Sequence, residues 1–242
     1  MRYFILFVIL VYAPVNAVGQ GSIPILCYHN ISTEGQHKND LLHVSSEQLN
    51  HQLKGLSDSG YHTMLPDELT KYLTENKPLP ARLFMITFDD SHEAHFSIAD
   101  SLLRHYGFRG VFFVMTVTLG KPGYMTAAQL KVLADRGHTI AGHTWDHPHL
   151  YTTGKMDWEK QLIHPRKVLE KITGKQVWYF AYPFGEWNDT IVNHLEESGY
   201  RAAFQLNGHP GKALYTIRRM MVDGRWSAVK LQEEMKSFNK VD

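Results

Sequence analysis

The run Leu83-Phe84-Met85-Ile86-Thr87-Phe88 ends abruptly in Asp89-Asp90, and no other stretch constrains the chain as strongly. Six residues dominated by aliphatic and aromatic side chains read as a buried strand. Two adjacent carboxylates resist joint ionisation, so the pair is costly unless a cation lies beside it. A solvated Asp-Asp turn after a strand would look the same within these eight residues. The rest of the chain has to decide between them.

A buried strand needs neighbours on both sides, and the chain supplies them in alternation with helices. Strands are expected over 23–28, 110–115, 138–142, 176–182, 200–205 and 215–222. Helices are expected over 66–73, 94–106, 126–136, 156–172, 189–198 and 227–238, and from Ser46, a capping serine, to Gly60. Pro165 lies inside the 156–172 pattern and predicts a kink or break there. Strands alternating with helices point to one mostly parallel sheet, open or closed into a barrel. At 242 residues the chain suits one such domain, and no repeat or internal boundary interrupts it.

The first residues read as an address. Arg2 precedes an apolar run, Tyr3 to Tyr12, and then Val15-Asn16-Ala17, a small-residue cleavage pattern. This predicts a signal peptide over 1–17, export to the periplasm, envelope or medium, and one catalytic domain over 18–242. The run is short of the roughly 20 residues of a stable membrane span. Lys+Arg 25 against Asp+Glu 24 leaves no basic surface for nucleic acid or an anionic membrane. The single cysteine, Cys27, excludes an internal disulfide and reads as a small buried hydrophobe.

Polar clusters sit at the C-terminal ends of several strands: His29, Asp89-Asp90, His143, Tyr182-Pro183-Phe184 and Arg218-Arg219. That edge of a parallel sheet is where active sites assemble. His143 and His147 are four apart, a spacing that places two imidazoles on one side of a helical turn. With a carboxylate from a neighbouring strand they would make three protein ligands and leave room for water and substrate. By spacing alone, Asp146 and His149 are alternative ligands.

Thr87-Phe88-Asp89-Asp90, then His143-Thr144-x-x-His147, then Tyr182-Pro183-Phe184-Gly185 resembles the polysaccharide deacetylases, carbohydrate esterase family 4. The likeness covers nearly all of the chain after the first segment. It implies an α/β fold, a distorted (β/α) barrel of about seven parallel strands, with a Zn²⁺-dependent deacetylase site; two His and one carboxylate also suit Co²⁺, Ni²⁺ or Fe²⁺. By position in that family, Asp89 is the general base and Asp90, His143 and His147 are the metal ligands. The third motif implies that Phe184 lends its N–H to the oxyanion, and that its ring and Tyr182 line a sugar groove.

Three departures bear on catalysis. Ser91 stands where the family has Gly, Ala181 where it has the Arg that steadies the base, and no late L-x-H supplies an acid. Arg219 is the candidate substitute for the arginine, with Arg218 beside it. His29, on the first strand, is the candidate acid, because that strand lies beside the last one in a closed barrel. His209 is its rival, and Asp223 a candidate to orient either. The early His29, Ala181 and late Arg219 together resemble the branch acting on poly-β-1,6-N-acetylglucosamine. Tyr28, Trp145, Trp187 and Trp226 are candidate sugar-stacking rings. The implied partner is an acetylated amino-sugar polysaccharide, with peptidoglycan or chitin oligomers as alternatives. A catalytically silent carbohydrate-binding barrel is the alternative from another class.

Overall fold

A computed structural model describes residues 23–32, 38, 40–75, 77–151, 156–209 and 211–238. The proposed signal segment lies outside them. The main-sheet strands are β1 (Ile25–Tyr28), β4 (His62–Thr63), β5 (Leu83–Phe88), β6 (Val111–Val114), β7 (Thr139–Gly142), β8 (Tyr179–Ala181), β9 (Ala202–Gln205), β10 (Ile217–Arg218) and β11 (Met220–Met221). Between β1 and β4, β2 (Asn30–Ser32) and β3 (His43–Ser45) pair in a small sheet of their own.

The main sheet runs β10-β9-β8-β7-β6-β5-β1-β11, with β4 on β5 at one end, and every pairing is parallel. Its two ends, β10 and β11, are separated in sequence by Arg219 alone. One short segment therefore hydrogen-bonds β9 with its first half and β1 with its second. Arg219 N–H still donates to Gln205 O, and three residues later Val222 N–H donates to Cys27 O. The strand expected over 215–222 is thus broken in two because it changes partner, and that change brings the sheet round into a nearly closed barrel of seven strand positions.

Helices α1 (Ser46–Asp58), α2 (Pro66–Glu75), α3 (Asp100–His105), α4 (Ala127–Asp135), α5 (His164–Thr173), α6 (Asp189–Glu197) and α7 (Ala228–Phe238) accompany the strands. The cap of α1 is Ser45, whose side chain accepts from Gln48 N–H, one residue before the expected serine. Thr126 and Gln129 form a reciprocal capping box on α4. Wide π turns, His95–Ala99 and Glu159–Ile163, lead into α3 and α5. Pro165 falls in the first turn of α5, where a missing N–H costs little, and the irregularity expected there lies just before it.

Alternation along the strands sorts side chains to two faces. Leu26, Tyr28, Phe84, Ile86, Phe88, Phe112, Val114, Phe180 and Tyr182 pack outward under the helices. Ile25, Met85, Val111, Phe113, Ala141, Ala181, Phe204 and Ile217 fill the inside. Continuing the inner series by two places Cys27, His29, Thr87, Asp89, His143 and Arg219 at the upper mouth of the barrel. The sheet is buried on both faces, as parallel strands require. Phe112, fully buried and stacked on Phe88 at 5.2 Å, is central to the outer layer. Phe112→Ala is expected to lower unfolding free energy by about 3–5 kcal/mol in urea denaturation.

Candidate functional site

β5 stops at Phe88, and the chain turns at once. Asp89 N–H donates to Tyr28 O at 3.0 Å, while Asp90 and Ser91 both take left-handed backbone, φ 74° and 65°. Two such residues in succession are strained. Extended neighbours would point to opposite faces, and this break lets both carboxylates serve one site. Ser91 is anchored by accepting Met115 N–H on its hydroxyl and Met125 N–H on its carbonyl, each at 2.9 Å. The left-handed φ explains why glycine suits this position in the resembled family.

His143 follows β7 directly, its N–H donating to Val114 O. The segment to His147 is not a helical turn, contrary to the spacing argument. Thr144 and His147 adopt φ 67° and 62°, and His147 N–H donates to Thr144 Oγ1 at 2.9 Å. The two imidazoles nevertheless converge, because Asp90 Oδ1 lies 3.6 Å from His143 Nε2 and 3.7 Å from His147 Nε2. His143 donates Nδ1–H to Ala181 O at 2.8 Å, which fixes the tautomer and leaves Nε2 bare. That Nε2 is buried without a hydrogen-bond partner, so a buried lone pair faces Asp90 and His147. Burial pulls the His143 imidazole down to about 3, so it is neutral, the form a metal binds. Asp90, His143 and His147 thus fit a divalent cation. Asp146 accepts from Gln161 and His149 pairs with Glu186 instead.

Asp89 stays outside that group. Arg219, fully buried, donates Nη1–H to Oδ1 at 2.7 Å and Nη2–H to Oδ2 at 2.8 Å, and Nη1 also reaches Thr87 Oγ1. Burial alone would push the Asp89 carboxyl up, but Arg219, then His143, hold it well below the usual carboxylate range. Asp90 behaves oppositely: burial, then the charge on Asp89, pushes it up to about 7. The neighbours therefore differ, one held ionised by an arginine and one whose charge calls for a cation.

His29 closes the other side, with Nε2 3.8 Å from Asp89 Oδ2. Its carbonyl accepts from buried His95. Burial lowers the His29 imidazole, with Asp89 opposing. Cys27 is buried as expected, but its thiol is not merely filling space: it donates to Asp89 Oδ2 at 3.5 Å and lies 3.9 Å from His29 Nδ1. The two-residue step from Cys27 in β1 to His29 just beyond it is the sequence signal for this.

Several expected contacts are corrected. Tyr182 faces outward with Phe180, is fully buried, and donates its hydroxyl to Tyr215 O, so it lines no groove. Tyr28 is likewise buried, bonded to Gln52. Trp145 is half-buried with the Lys160 ammonium 3.8 Å over its ring, so a sugar on that face would displace a cation. Asp223 is taken by Arg225, and His209 is exposed in its turn. Arg218 points outward over Phe238. Phe184, at φ 58°, is 49% exposed, stacks on His149 at 3.8 Å and meets His147 edge-on.

The family model for polysaccharide deacetylase matches residues 76–203, more than half of the chain. The chain belongs to that family. Among its members, YxkH of Bacillus subtilis, named for polysaccharide deacetylation, is 28% identical over 205 residues, 83% of this chain and 71% of YxkH. A chitooligosaccharide deacetylase of Azorhizobium caulinodans is 32% identical over 119 residues, 48% of this chain and 54% of its own. The Streptococcus pyogenes deacetylase PplD, solved with acetate, superposes with TM-score 0.80 at 25% identity, covering 88% of this chain and 97% of that one.

Arg219 reaches Asp89 from the closing segment, whereas Ala181 stands in the third motif. Arg219→Met leaves Asp89 buried and unpaired, and is expected to cost about 3–5 kcal/mol in urea denaturation. Adding Asp89→Asn is expected to recover part of that loss, because the orphaned charge is gone.

Proposed function

We propose that the chain is an exported, cation-dependent hydrolase that removes acetyl groups from N-acetylglucosamine units of a polysaccharide, with poly-N-acetylglucosamine favoured. The signal segment is residues 1–17 and the catalytic domain 18–242. No described helix is long and apolar enough to cross a membrane.

One observation carries the mechanism: Asp89 is fixed by Arg219 outside the Asp90, His143 and His147 group, with His29 on its open flank. Asp90, His143 and His147 hold a divalent ion, Zn²⁺ first among Zn²⁺, Co²⁺, Ni²⁺ and Fe²⁺. When bound, such an ion lowers the pKa of its water and polarises the acetyl carbonyl. Asp89, kept ionised by Arg219, takes the proton of the attacking water. The N–H of Phe184 donates to the oxyanion as the carbonyl carbon becomes tetrahedral. His29 gives a proton to the departing amine, and acetate and a free amino sugar result. Phe184, exposed beside His147 and stacked on His149, presents a ring face to the sugar.

Arg219 paired with Asp89 supports the enzyme reading over a silent carbohydrate-binding barrel, for which the missing third-motif Arg and the missing late His are the motives. The paired presence of His29 and Arg219 against Asp89 favours the poly-N-acetylglucosamine branch. The likeness to a chitooligosaccharide deacetylase keeps chitin oligomers as a competing substrate, and peptidoglycan fragments are the other alternative.

Acetate release from a panel of acetylated glycans tests both activity and polymer. Release is expected from poly-N-acetylglucosamine, falling to background after chelation and returning with Zn²⁺. No release from any member would overturn the proposal, and release from chitin or peptidoglycan oligomers alone would reassign the substrate. His29→Ala is expected to lower kcat by about 100-fold or more with bound Zn²⁺ still near stoichiometric. His209→Ala is expected to keep wild-type turnover in the same assay.

A further inference from the structure

Beside the proposed metal group lies a second convergence of donors, and it contains sulfur. Cys27 Sγ is 3.5 Å from Asp89 Oδ2 and 3.9 Å from His29 Nδ1, and His29 Nε2 is 3.8 Å from Asp89 Oδ2. One donor atom from each residue lies within 4.8 Å of the other two. Zinc bound tetrahedrally, at about 2.3 Å from sulfur and about 2.0–2.1 Å from nitrogen or oxygen, spaces its donors about 3.3–3.6 Å apart. The short distances to Cys27 and Asp89 run to different nitrogens of His29, so with either nitrogen as donor one pair starts at up to 4.8 Å, and the side chains must close by up to about 1.5 Å.

We propose that Cys27, His29 and Asp89 form a second cation site, inhibitory in effect, that takes a soft divalent ion such as zinc or cadmium. Ligand chemistry separates it from the first group, which offers only imidazole and carboxylate, whereas a thiolate favours soft ions. As the ion enters, the Cys27 proton leaves to solvent and an S–metal bond replaces S–H, with no change of oxidation state. Asp89 Oδ2 contributes a lone pair while Arg219 Nη2 keeps its bond to the same oxygen at 2.8 Å. His29, with 13% of its side chain exposed, is the entry point, because Cys27 is fully buried.

Arg219 and an ion in the first group both repel a second cation. Asp89 Oδ2 is only 3.9 Å from His143 Nε2, so the second site is the weaker of the two and fills only after the first. Filling it ties up the proposed base and the proposed acid together. The inhibitory effect rests on the deacetylase reading; the binding itself does not.

Cys27 is the only cysteine in the chain, so any thiolate–metal signal reports this site alone. Protein loaded with one equivalent of Zn²⁺ is titrated with Cd²⁺ while ultraviolet absorption, bound metal and acetate release are followed. A thiolate-to-cadmium charge-transfer band is expected to grow to one further equivalent, with acetate release falling in step. Cys27→Ala and Cys27→Ser, checked for folding by circular dichroism, are expected to lack the band and to need about tenfold or more Cd²⁺ for equal inhibition. Absence of the band in the wild type overturns the site whether or not either variant folds. Equal inhibitory concentrations in wild type and folded variants overturn its inhibitory effect. A band with no acetate release under any condition supports the site and counts against the deacetylase reading instead.

Discussion

The bidentate pair between Arg219 and Asp89 is the interaction on which the rest of the site depends. Both side chains are almost wholly withdrawn from water, 0% and 2% exposed. Neither is tolerable there without the other, since an isolated buried charge costs several kcal/mol. The pair also joins distant parts of the chain. Arg219 lies where the closing segment leaves β9 for β1, so its inward guanidinium crosses the seam of the barrel to reach Asp89, just past the end of β5. Closure of the sheet and ionisation of the carboxylate are therefore coupled by one contact.

From that contact follows the unequal fate of the two aspartates. With Arg219 occupied by Asp89, Asp90 pairs with no Lys or Arg among the described residues and turns, through the left-handed backbone at 90 and 91, toward His143 and His147. His143 is held ready by Ala181 O, and its bare Nε2 completes the arrangement. The cost of placing two carboxylates side by side is thus met differently at each one. An internal arginine compensates Asp89, and the proposed divalent ion would compensate Asp90. Cys27 on the adjacent strand and His29 just past its end border Asp89 from the remaining side.

Much of this was legible in the residues. Apolar runs bounded by turns located the buried strands, and the leucines of α1 and α4 located helix faces, because period and burial are local properties. The three motifs, with Arg219 and His29, named the residues that the fold brings to one mouth. What local pattern did not carry was direction. The third motif points Tyr182 to the groove, but two-residue alternation from Phe180 turns it under the helices. The 143–147 turn was expected to be helical, whereas its left-handed residues are set by bonds from Thr144 and by β7 ending at Gly142. The split of the last strand reflects a change of partner at Arg219, which no single stretch of sequence states. Cys27 reads as filler because a thiol looks apolar until the fold brings the Asp89 carboxylate to it.

The central claim is that adjacent aspartates are divided between an arginine and a cation. Diffraction from Zn²⁺-soaked crystals, with anomalous data at the zinc edge and stoichiometric metal, tests it most directly. The account predicts one strong anomalous peak bonded to Asp90, His143 Nε2 and His147 Nε2, with Asp89 unbound to it and still paired with Arg219. A peak coordinated by Asp89 in place of Asp90, or an Asp89 released from Arg219, would contradict it.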